Sequence, residues 1–223
     1  MSGSPLAPLP ADDPTVPPAR VAAPAATRAP ATPAALRARL SACAAGAIHG
    51  DEGHGGRQGA RIPAAVLLGI VARPAGPHIL LTQRTAHLRD HAGQISLPGG
   101  RIEQEDAGSV AAALREAREE IALDPGLVEV LGELPVYDTV TGFRIHPVVG
   151  WIAPPPVLVP DPFEVAEVFE VPLGFALDAG NHHRDSYERE GTRRHFWVLR
   201  WQGRYIWGAT AGILVNFARV VAG

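Results

Sequence analysis

The segment ISLPGGRIEQEDAGSVAAALREAREEIAL, residues 95–123, carries the clearest structural pattern of the chain. Its apolar residues recur at helical spacing at Val110, Ala113, Leu114, Ala117 and Ile121. This spacing predicts an amphipathic helix over about residues 106–122, with these side chains on its buried face. Ahead of the helix, the sequence predicts the end of a strand and then a turn at Pro98, Gly99 and Gly100, because proline and glycine interrupt regular structure.

The opposite side of this predicted helix is charged. Glu116 and Glu120 are four residues apart and stack on one face, and Glu119 lies beside them. Like charges at this spacing destabilise a helix, whereas carboxylate oxygens are the ligands that Mg²⁺ prefers. Taken alone, REAREE is more typical of a solvated helix face on which Arg115 and Glu119 form an ion pair. The glycines before the helix allow a ligand to approach the backbone closely, and they shift the balance towards a metal site.

Three further acidic residues precede the helix. Glu103, Glu105 and Asp106 are expected at its start, where negative charge is favourable. Capping therefore explains part of the acidic cluster. The sequence leaves any further role of Glu103 and Asp106 open.

Apolar runs and turn signals alternate outside this segment. Residues 62–72 predict a buried strand, PAGP at residues 74–77 a turn, and residues 78–84 a second strand that completes a hairpin. Leu36 and Leu40 have helical spacing and predict a short helix. Further elements are predicted as strands at 128–134, 145–152, 165–171 and 195–201, and as a C-terminal helix at 209–221. These elements predict an α/β domain in which helices pack on a mixed sheet.

Composition divides the chain of 223 residues into two parts. Residues 1–33 are mostly alanine, proline and small polar residues, which predict a disordered tail because they cannot bury enough apolar surface. Residues 34–223 are predicted to form one domain, for which their length is sufficient. A targeting peptide is the minority interpretation of the tail, since Asp12, Asp13 and the many prolines count against it.

Charge and cysteine content exclude several classes of protein. The net charge of −3 argues against a broad basic surface for nucleic acid. No apolar run is long enough to span a bilayer, so no membrane partner is predicted. The single cysteine, Cys43, excludes an intrachain disulfide. Cytoplasmic localisation is therefore the default expectation.

The residues around the predicted helix resemble a known family. GGRIEQEDAGSVAAALREAREEIAL is similar to the Nudix box, in which a glycine and an acidic residue precede R-E-x-x-E-E. Two features depart from it: the glycine-to-arginine spacing is one residue longer, and Ala122 stands in place of a glycine. The longer spacing is characteristic of the coenzyme A pyrophosphatase branch. LLTQRTAHLRDHAGQISLPGG, residues 80–100, and YIWGATAGIL, residues 205–214, also resemble segments of that branch.

The resemblance covers about residues 62–221 and implies a fold and a metal site. The fold is an α/β/α sandwich on a mixed sheet. Glu116 and Glu120 are implied as ligands of Mg²⁺, with Mn²⁺ as the alternative ion, and Glu119 as a further ligand or as the base that orients water. Arg115 is expected to hold the carboxylates by charge-assisted hydrogen bonds. Glu119, Glu120 and Arg115 are thus the catalytic candidates. Ala122 departs from the family's glycine at the turn after the helix, where a positive φ costs alanine more than glycine.

The same resemblance implies coenzyme A as the substrate, cut to 4′-phosphopantetheine and adenosine 3′,5′-bisphosphate. Arg84, Arg89 and His91 form a basic cluster that could bind the phosphates, although strand-edge arginines are commonly just solvated. Gly99 and Gly100 are expected to shape the loop beside the metal ions.

Two other functions stay open on the sequence alone. The first is a Nudix hydrolase that acts on ADP-ribose, a dinucleotide or a modified nucleoside triphosphate. The second is an inactive binding module with the same fold, which the three retained glutamates argue against. The sequence does not decide the oligomeric state, and a homo-oligomer stays open.

Overall fold

The computed structural model describes residues 32–42, 49–50, 60–88, 92–189 and 192–222. Its α-helices are α1 (Pro33–Ala42), α2 (Ser109–Ile121), α3 (Leu173–Leu177) and α4 (Gly208–Ala222). Its strands are β1 (His49–Gly50), β2 (Ile62–Val71), β3 (His78–Arg84), β4 (Ile95–Ser96), β5 (Gly99–Arg101), β6 (Val128–Glu133), β7 (Tyr137–Asp138), β8 (Phe143–Ile152), β9 (Val165–Pro172), β10 (His183–Arg189), β11 (Thr192–Trp201) and β12 (Arg204–Trp207).

Nine strands of the described residues form one mixed sheet. The order β1-β7-β8-β2-β3-β4 gives its main path, and β5 pairs with β2, β6 with β8 and β9 with β3. β2 and β8 run parallel over ten residue pairs and lie at the centre. This explains the continuous apolar run of β2, because a central strand is covered on both faces. A second sheet of the described residues contains β10, β11 and β12.

Two hydrophobic layers enclose the large sheet. One layer packs the apolar face of α2 against the sheet through Ala112, Ala113, Ala117 and Ile121, which meet Ala65, Leu67, Leu80 and Val148. The other layer contains side chains of α1 and α4, including Leu36, Leu40, Leu214 and Phe217. Helices therefore cover both faces of a mixed sheet, and the predicted α/β/α sandwich is confirmed.

The longer predicted elements are confirmed with small changes at their ends. The predicted β2–β3 hairpin is present, and Ile70 pairs with Ile79 beside its turn. Leu36 and Leu40 are buried on the short helix α1. The predicted strand end before Pro98 is present as β4, whereas the sequence patterns did not identify the short strands β1, β5 and β7, nor β10 and β12. Short strands lack the run of alternating or apolar residues on which strand prediction depends.

The start of α2 differs from the prediction. The helix begins at Ser109 with Gly108 as its N-cap, and its first turn contains no acidic residue. The interpretation of the acidic cluster as helix capping is therefore wrong. Asp106 instead accepts hydrogen bonds from the Glu103 N–H at 2.8 Å and from Arg115. Gly108 has a φ of 125°, a conformation that favours glycine, and it separates this acidic turn from the helix.

The turn at the end of α2 is formed by Ala122. Ala122 adopts a left-handed conformation with φ 53° and ψ 31°, which is the usual conformation of a glycine at this position. Its N–H bonds to the Arg118 carbonyl at 2.9 Å, and the Leu123 N–H bonds to the Ala117 carbonyl at 3.3 Å. The turn is therefore formed in spite of the alanine.

The predicted division of the chain falls at the edge of the described residues. Helix α1 begins at Pro33, next to the predicted boundary between residues 33 and 34. Residues 1–31 lie outside the described residues, so the disordered tail stays a prediction. Of the helices in the described part of the chain, none is both long and apolar enough to cross a membrane.

Candidate active site

The three glutamates of α2 lie in different environments. Glu120 is buried, with 5% of its surface exposed, because its carboxylate faces the sheet at Gly99 of β5. Glu116 is partly buried one turn earlier, and the Glu119 side chain is 58% exposed. Helical spacing therefore places two carboxylates against the sheet and one at the solvent edge.

Glu120 has little compensation for its charge. Its carboxylate accepts a hydrogen bond from the Gly99 N–H at 3.2 Å, and its Oε1 lies 3.7 Å from Nη1 of Arg84. Burial is the largest influence and raises the pKa of Glu120 to about 8, against the lowering effects of Gly99 and Arg84. A buried carboxylate with so few close partners is costly to ionise, so a cation at this position would be strongly favoured.

Glu116 lies against the backbone of β5. A Cβ atom at Gly100 would stand 2.5 Å from its carboxylate, so only glycine leaves room for that group. The Glu116 Oε1 accepts a hydrogen bond from Nη1 of Arg115 at 3.0 Å. Burial again dominates and raises the pKa of Glu116, while the neighbouring Arg115 opposes the rise.

Arg115 joins the acidic groups around the helix. Its guanidinium donates two hydrogen bonds to Asp106, at 3.0 and 2.9 Å, and others to Glu116, Glu119 and the Arg101 carbonyl. The hydrogen bond to Arg115 is the main reason that the pKa of Asp106 is lowered. The predicted contacts between Arg115 and the carboxylates are thus present, and Asp106 is an additional partner. Its role in the reaction stays a prediction.

Gly99 and Gly100 form a strand and not the loop that the sequence predicted. They belong to β5, where Gly99 pairs with Val66 and Gly100 with Ala65. Gly99 has a φ of 154°, and a Cβ there would stand 2.6 Å from the Cα of Val66. Both glycines are needed for close approach: Gly99 to the neighbouring strand, and Gly100 to Glu116. The two glycines therefore belong to a paired strand that borders the carboxylates.

Sequence reasoning missed a fourth carboxylate, that of Glu164. It lies just before β9, and its Oε2 stands 4.0 Å from Nη2 of Arg84. Arg84 therefore lies between Glu120 and Glu164. A lone glutamate after a proline-rich segment has no pattern that identifies it. Only the pairing of β3 with β9, which aligns Arg84 with Val165, brings it to the site.

The structure brings most predicted site residues together. Arg84, Gly99, Gly100, Glu116 and Glu120 form one cluster, and Arg115 and Glu119 border it. Arg84 lies close to the carboxylates of Glu120 and Glu164, whereas the alternative interpretation was a strand-edge arginine that contacts only solvent. Arg89 and His91 lie outside the described residues, so their assignment to substrate stays a prediction.

The donor set fits a hard divalent cation. Glu116, Glu120 and Glu164 offer carboxylate oxygens to one cluster, and Gly100 provides the space in which Glu116 stands. Within the described residues, no three potential ligands already converge on one point. Glu116 accepts a hydrogen bond from Arg115, and Glu120 accepts one from the Gly99 N–H.

Comparison with known proteins identifies relatives over more than half of the chain. The family model described as NUDIX domain matches residues 62–200. An uncharacterized Nudix hydrolase, NudL of Escherichia coli (strain K12), is 48% identical over 155 residues. The aligned region covers 70% of this chain and 80% of NudL.

Several solved structures are also similar. RenU, a Nudix hydrolase from M. smegmatis, has 27% identity and a TM-score of 0.42, and the match covers 55% of this chain and 77% of that one. The MutT protein from Methanosarcina mazei has 20% identity and a TM-score of 0.43, with coverage of 54% and 83%. The NUDIX domain of Shewanella oneidensis NrtR, complexed with ADP ribose, has 22% identity and a TM-score of 0.42, with coverage of 53% and 77%.

Proposed function

Because the chain belongs to the Nudix hydrolase family, we propose that it hydrolyses the diphosphate bond of coenzyme A with Mg²⁺ or Mn²⁺ as cofactor. The products are 4′-phosphopantetheine and adenosine 3′,5′-bisphosphate. The observation that carries the catalytic part is the poorly compensated, buried Glu120 among further carboxylates. The choice of coenzyme A rests on the resemblance of residues 80–100 and 205–214 to that branch of the family.

Each residue of the cluster has a task in this proposal. Glu116 and Glu120 hold the ion, and Glu119 either joins them or accepts a proton from the attacking water at the solvent edge. A bound divalent ion would neutralise the diphosphate and lower the pKa of the water. Arg115 orients the glutamates through its contacts with Asp106, Glu116 and Glu119.

Arg84 supports phosphate binding through its position. It stands 3.7 Å from Glu120 and 4.0 Å from Glu164, so it is held at the cluster without a short ion pair to either. Once an ion compensates Glu120, the Arg84 guanidinium is free to turn to a phosphate oxygen. A charge-assisted contact of this kind contributes about 1.5–3 kcal/mol, or about ten- to a hundredfold in affinity.

The experiment is a comparison of kcat/KM for coenzyme A, dephospho-coenzyme A, ADP-ribose and ATP with Mg²⁺, with the products separated by chromatography. Coenzyme A is expected to be the best substrate, and dephospho-coenzyme A a poorer one. Faster cleavage of ADP-ribose than of coenzyme A contradicts the proposal that coenzyme A is the substrate. The protein would then be a diphosphatase that acts on another nucleoside diphosphate derivative. Equal rates for coenzyme A and dephospho-coenzyme A would preserve the substrate and exclude only a contact of Arg84 or Arg89 with the 3′-phosphate. Failure to release product from any of the four supports the inactive binding module.

A further inference from the structure

A groove of about 550 Å³ lies on the outer side of α2. The residues that line it are Ala111, Leu114, Arg115, Arg118, Glu119 and Pro125. Apolar side chains on an exposed helix are common and need no explanation by themselves. This groove differs from an ordinary helix surface because Arg115 and Glu119 also border the carboxylate cluster. The groove and the proposed diphosphate site are therefore continuous.

Helical spacing explains which side chains face the groove. Ala111, Leu114 and Arg118 follow one another at intervals of three and four residues, so they share one face of α2. The face that carries Ala117 packs against the sheet instead. Pro125 adds to the groove from the 3-10 turn that follows the helix. The small side chain of Ala111 leaves space that a larger residue would fill.

The groove and Arg84 lie on different sides of the cluster. Glu120, which stands 3.7 Å from Arg84, is buried against β5. Glu119 lies at the solvent edge and accepts a hydrogen bond from Arg115 at 3.0 Å. A diphosphate that joins two groups has an ester end on each phosphorus. When one end lies at Arg84, the other leads past Glu119 into the groove.

The chemistry of the groove fits a neutral chain that carries both apolar groups and hydrogen-bond acceptors. Ala111, Leu114 and Pro125 offer apolar surface. The guanidinium of Arg118 offers only hydrogen-bond donors, so its partner must be an acceptor. The pantetheine arm of coenzyme A has this composition, because two methyl groups lie close to its phosphate and amide carbonyls follow them.

We propose that this groove is the subsite for the pantetheine arm of the substrate. The two methyl groups pack on Ala111 and Leu114, and Arg118 donates to an amide carbonyl. The proposal rests on the proposed function, because it requires the diphosphate to lie at the carboxylate cluster. It assigns the arm to a surface that is distinct from Arg84 and from residues 80–100.

The test uses the two products of the proposed reaction, neither of which contains a diphosphate bond. 4′-Phosphopantetheine has the arm without the nucleotide, and adenosine 3′,5′-bisphosphate has the nucleotide without the arm. Titration calorimetry with Mg²⁺ measures the affinity of each. Ala111→Trp, which fills the groove, is expected to bind 4′-phosphopantetheine at least about tenfold more weakly, as when two methyl groups lose their burial. Its affinity for adenosine 3′,5′-bisphosphate should not change.

Arg118→Ala is the second variant, because this exposed side chain can be shortened without disturbing the core. It is expected to weaken 4′-phosphopantetheine by about three- to tenfold, the effect of one hydrogen bond. Ala222→Trp is the control, since it makes the same change as Ala111→Trp at an exposed alanine at the end of α4, outside the groove. It should bind both products like the wild type.

Wild-type affinity of either folded groove variant for 4′-phosphopantetheine overturns the proposal. So does an equal loss for both products, or a wild-type protein that does not bind 4′-phosphopantetheine. If circular dichroism shows that Ala111→Trp is unfolded, Arg118→Ala decides alone. The proposed function fails separately, when the wild type does not hydrolyse coenzyme A. Hydrolysis of coenzyme A together with unchanged binding in the variants removes only the groove.

Discussion

Two buried carboxylates of this protein, Glu120 and Asp138, are equally inaccessible but differently compensated. Each is 5% exposed. Asp138 on β7 accepts short contacts from two arginines, at 2.9 Å from Arg61 and at 3.0 Å from both Nε and Nη2 of Arg144. Glu120 has one backbone hydrogen bond at 3.2 Å and one arginine at 3.7 Å. Asp138 is thus paired with two arginines at short distance, whereas Glu120 is not, and we propose that a bound cation compensates Glu120.

The largest effect is expected on catalysis. Glu116→Gln and Glu120→Gln each remove a charged ligand but preserve side-chain shape, so turnover should fall by roughly a hundred- to a thousandfold or more. Circular dichroism should show an intact fold. Asp138→Asn is the matched control and should keep its kcat wherever it is folded. Activity near the wild-type value in either glutamine variant is incompatible with the ligand assignment.

For stability we expect the opposite order, with the larger loss in the Asp138 variant than in the Glu120 variant. Asp138→Asn leaves Arg61 and Arg144 without their carboxylate, so the free energy of unfolding should fall by about 2–3 kcal/mol. Arg144 is partly exposed, which keeps this figure below that of a fully buried pair. Urea denaturation measures the loss. An Asp138→Asn variant as stable as the wild type would remove the structural side of the comparison.

Glu120→Gln should stabilise the metal-free protein, increasingly so as the pH rises. Burial raises the pKa of Glu120 from 4.5 to about 8 in the folded state. Below pH 4.5 both states hold the proton and no penalty exists. The unfolded state ionises first, so the penalty grows between these two pKa values and is complete above the higher one.

The measurement is urea denaturation in chelator at several pH values. At pH 9 the variant should exceed the wild type by several kcal/mol, with an upper limit of about 5 kcal/mol, since one pKa unit corresponds to about 1.4 kcal/mol and the pKa rises from 4.5 to about 8. Glu119→Gln is the control, because its exposed side chain should change stability little at any pH. A stability difference that is independent of pH contradicts the assignment of the penalty to Glu120.

The smallest effect concerns the backbone at the end of α2, two residues after Glu120. Ala122 holds a left-handed conformation that costs a residue with a Cβ about 1–2 kcal/mol. Ala122→Gly should therefore raise the free energy of unfolding by about 1 kcal/mol, part of the gain being lost to the more flexible unfolded chain. Thermal denaturation checks this. A loss of stability would mean that the alanine side chain packs favourably enough to offset the strain.

The sequence predicted the parts of the fold whose patterns are long. The apolar runs of β2 and β3 and the helical spacing in α2 identified these elements without the structure. β5 was missed, because Gly99 and Gly100 signal a turn locally and become a strand only through pairing with β2. The start of α2 was placed too early, because Asp106 has the properties of a cap but bonds to Arg115.

The candidate site could be predicted from the sequence to the extent that its residues lie on one helix, and their role in catalysis stays a prediction. Glu116, Glu119 and Glu120 follow from their spacing and from the family resemblance. The place of Glu164 in the cluster and the arginine partners of Asp138 could not be predicted in this way. Both depend on contacts between residues far apart in the chain, namely Arg84 with Glu164 and Arg61 with Asp138. Such contacts are fixed by sheet pairing, which local patterns do not encode.

The central claim, that a divalent cation compensates Glu120, is tested most directly by titration of Mn²⁺ followed by electron paramagnetic resonance. Wild type and Asp138→Asn should bind the ion alike, whereas Glu120→Gln should bind it at least about tenfold more weakly, because a ligand charge in a low-dielectric site is lost. Mn²⁺ binding to Glu120→Gln with the affinity of the wild type would contradict the account.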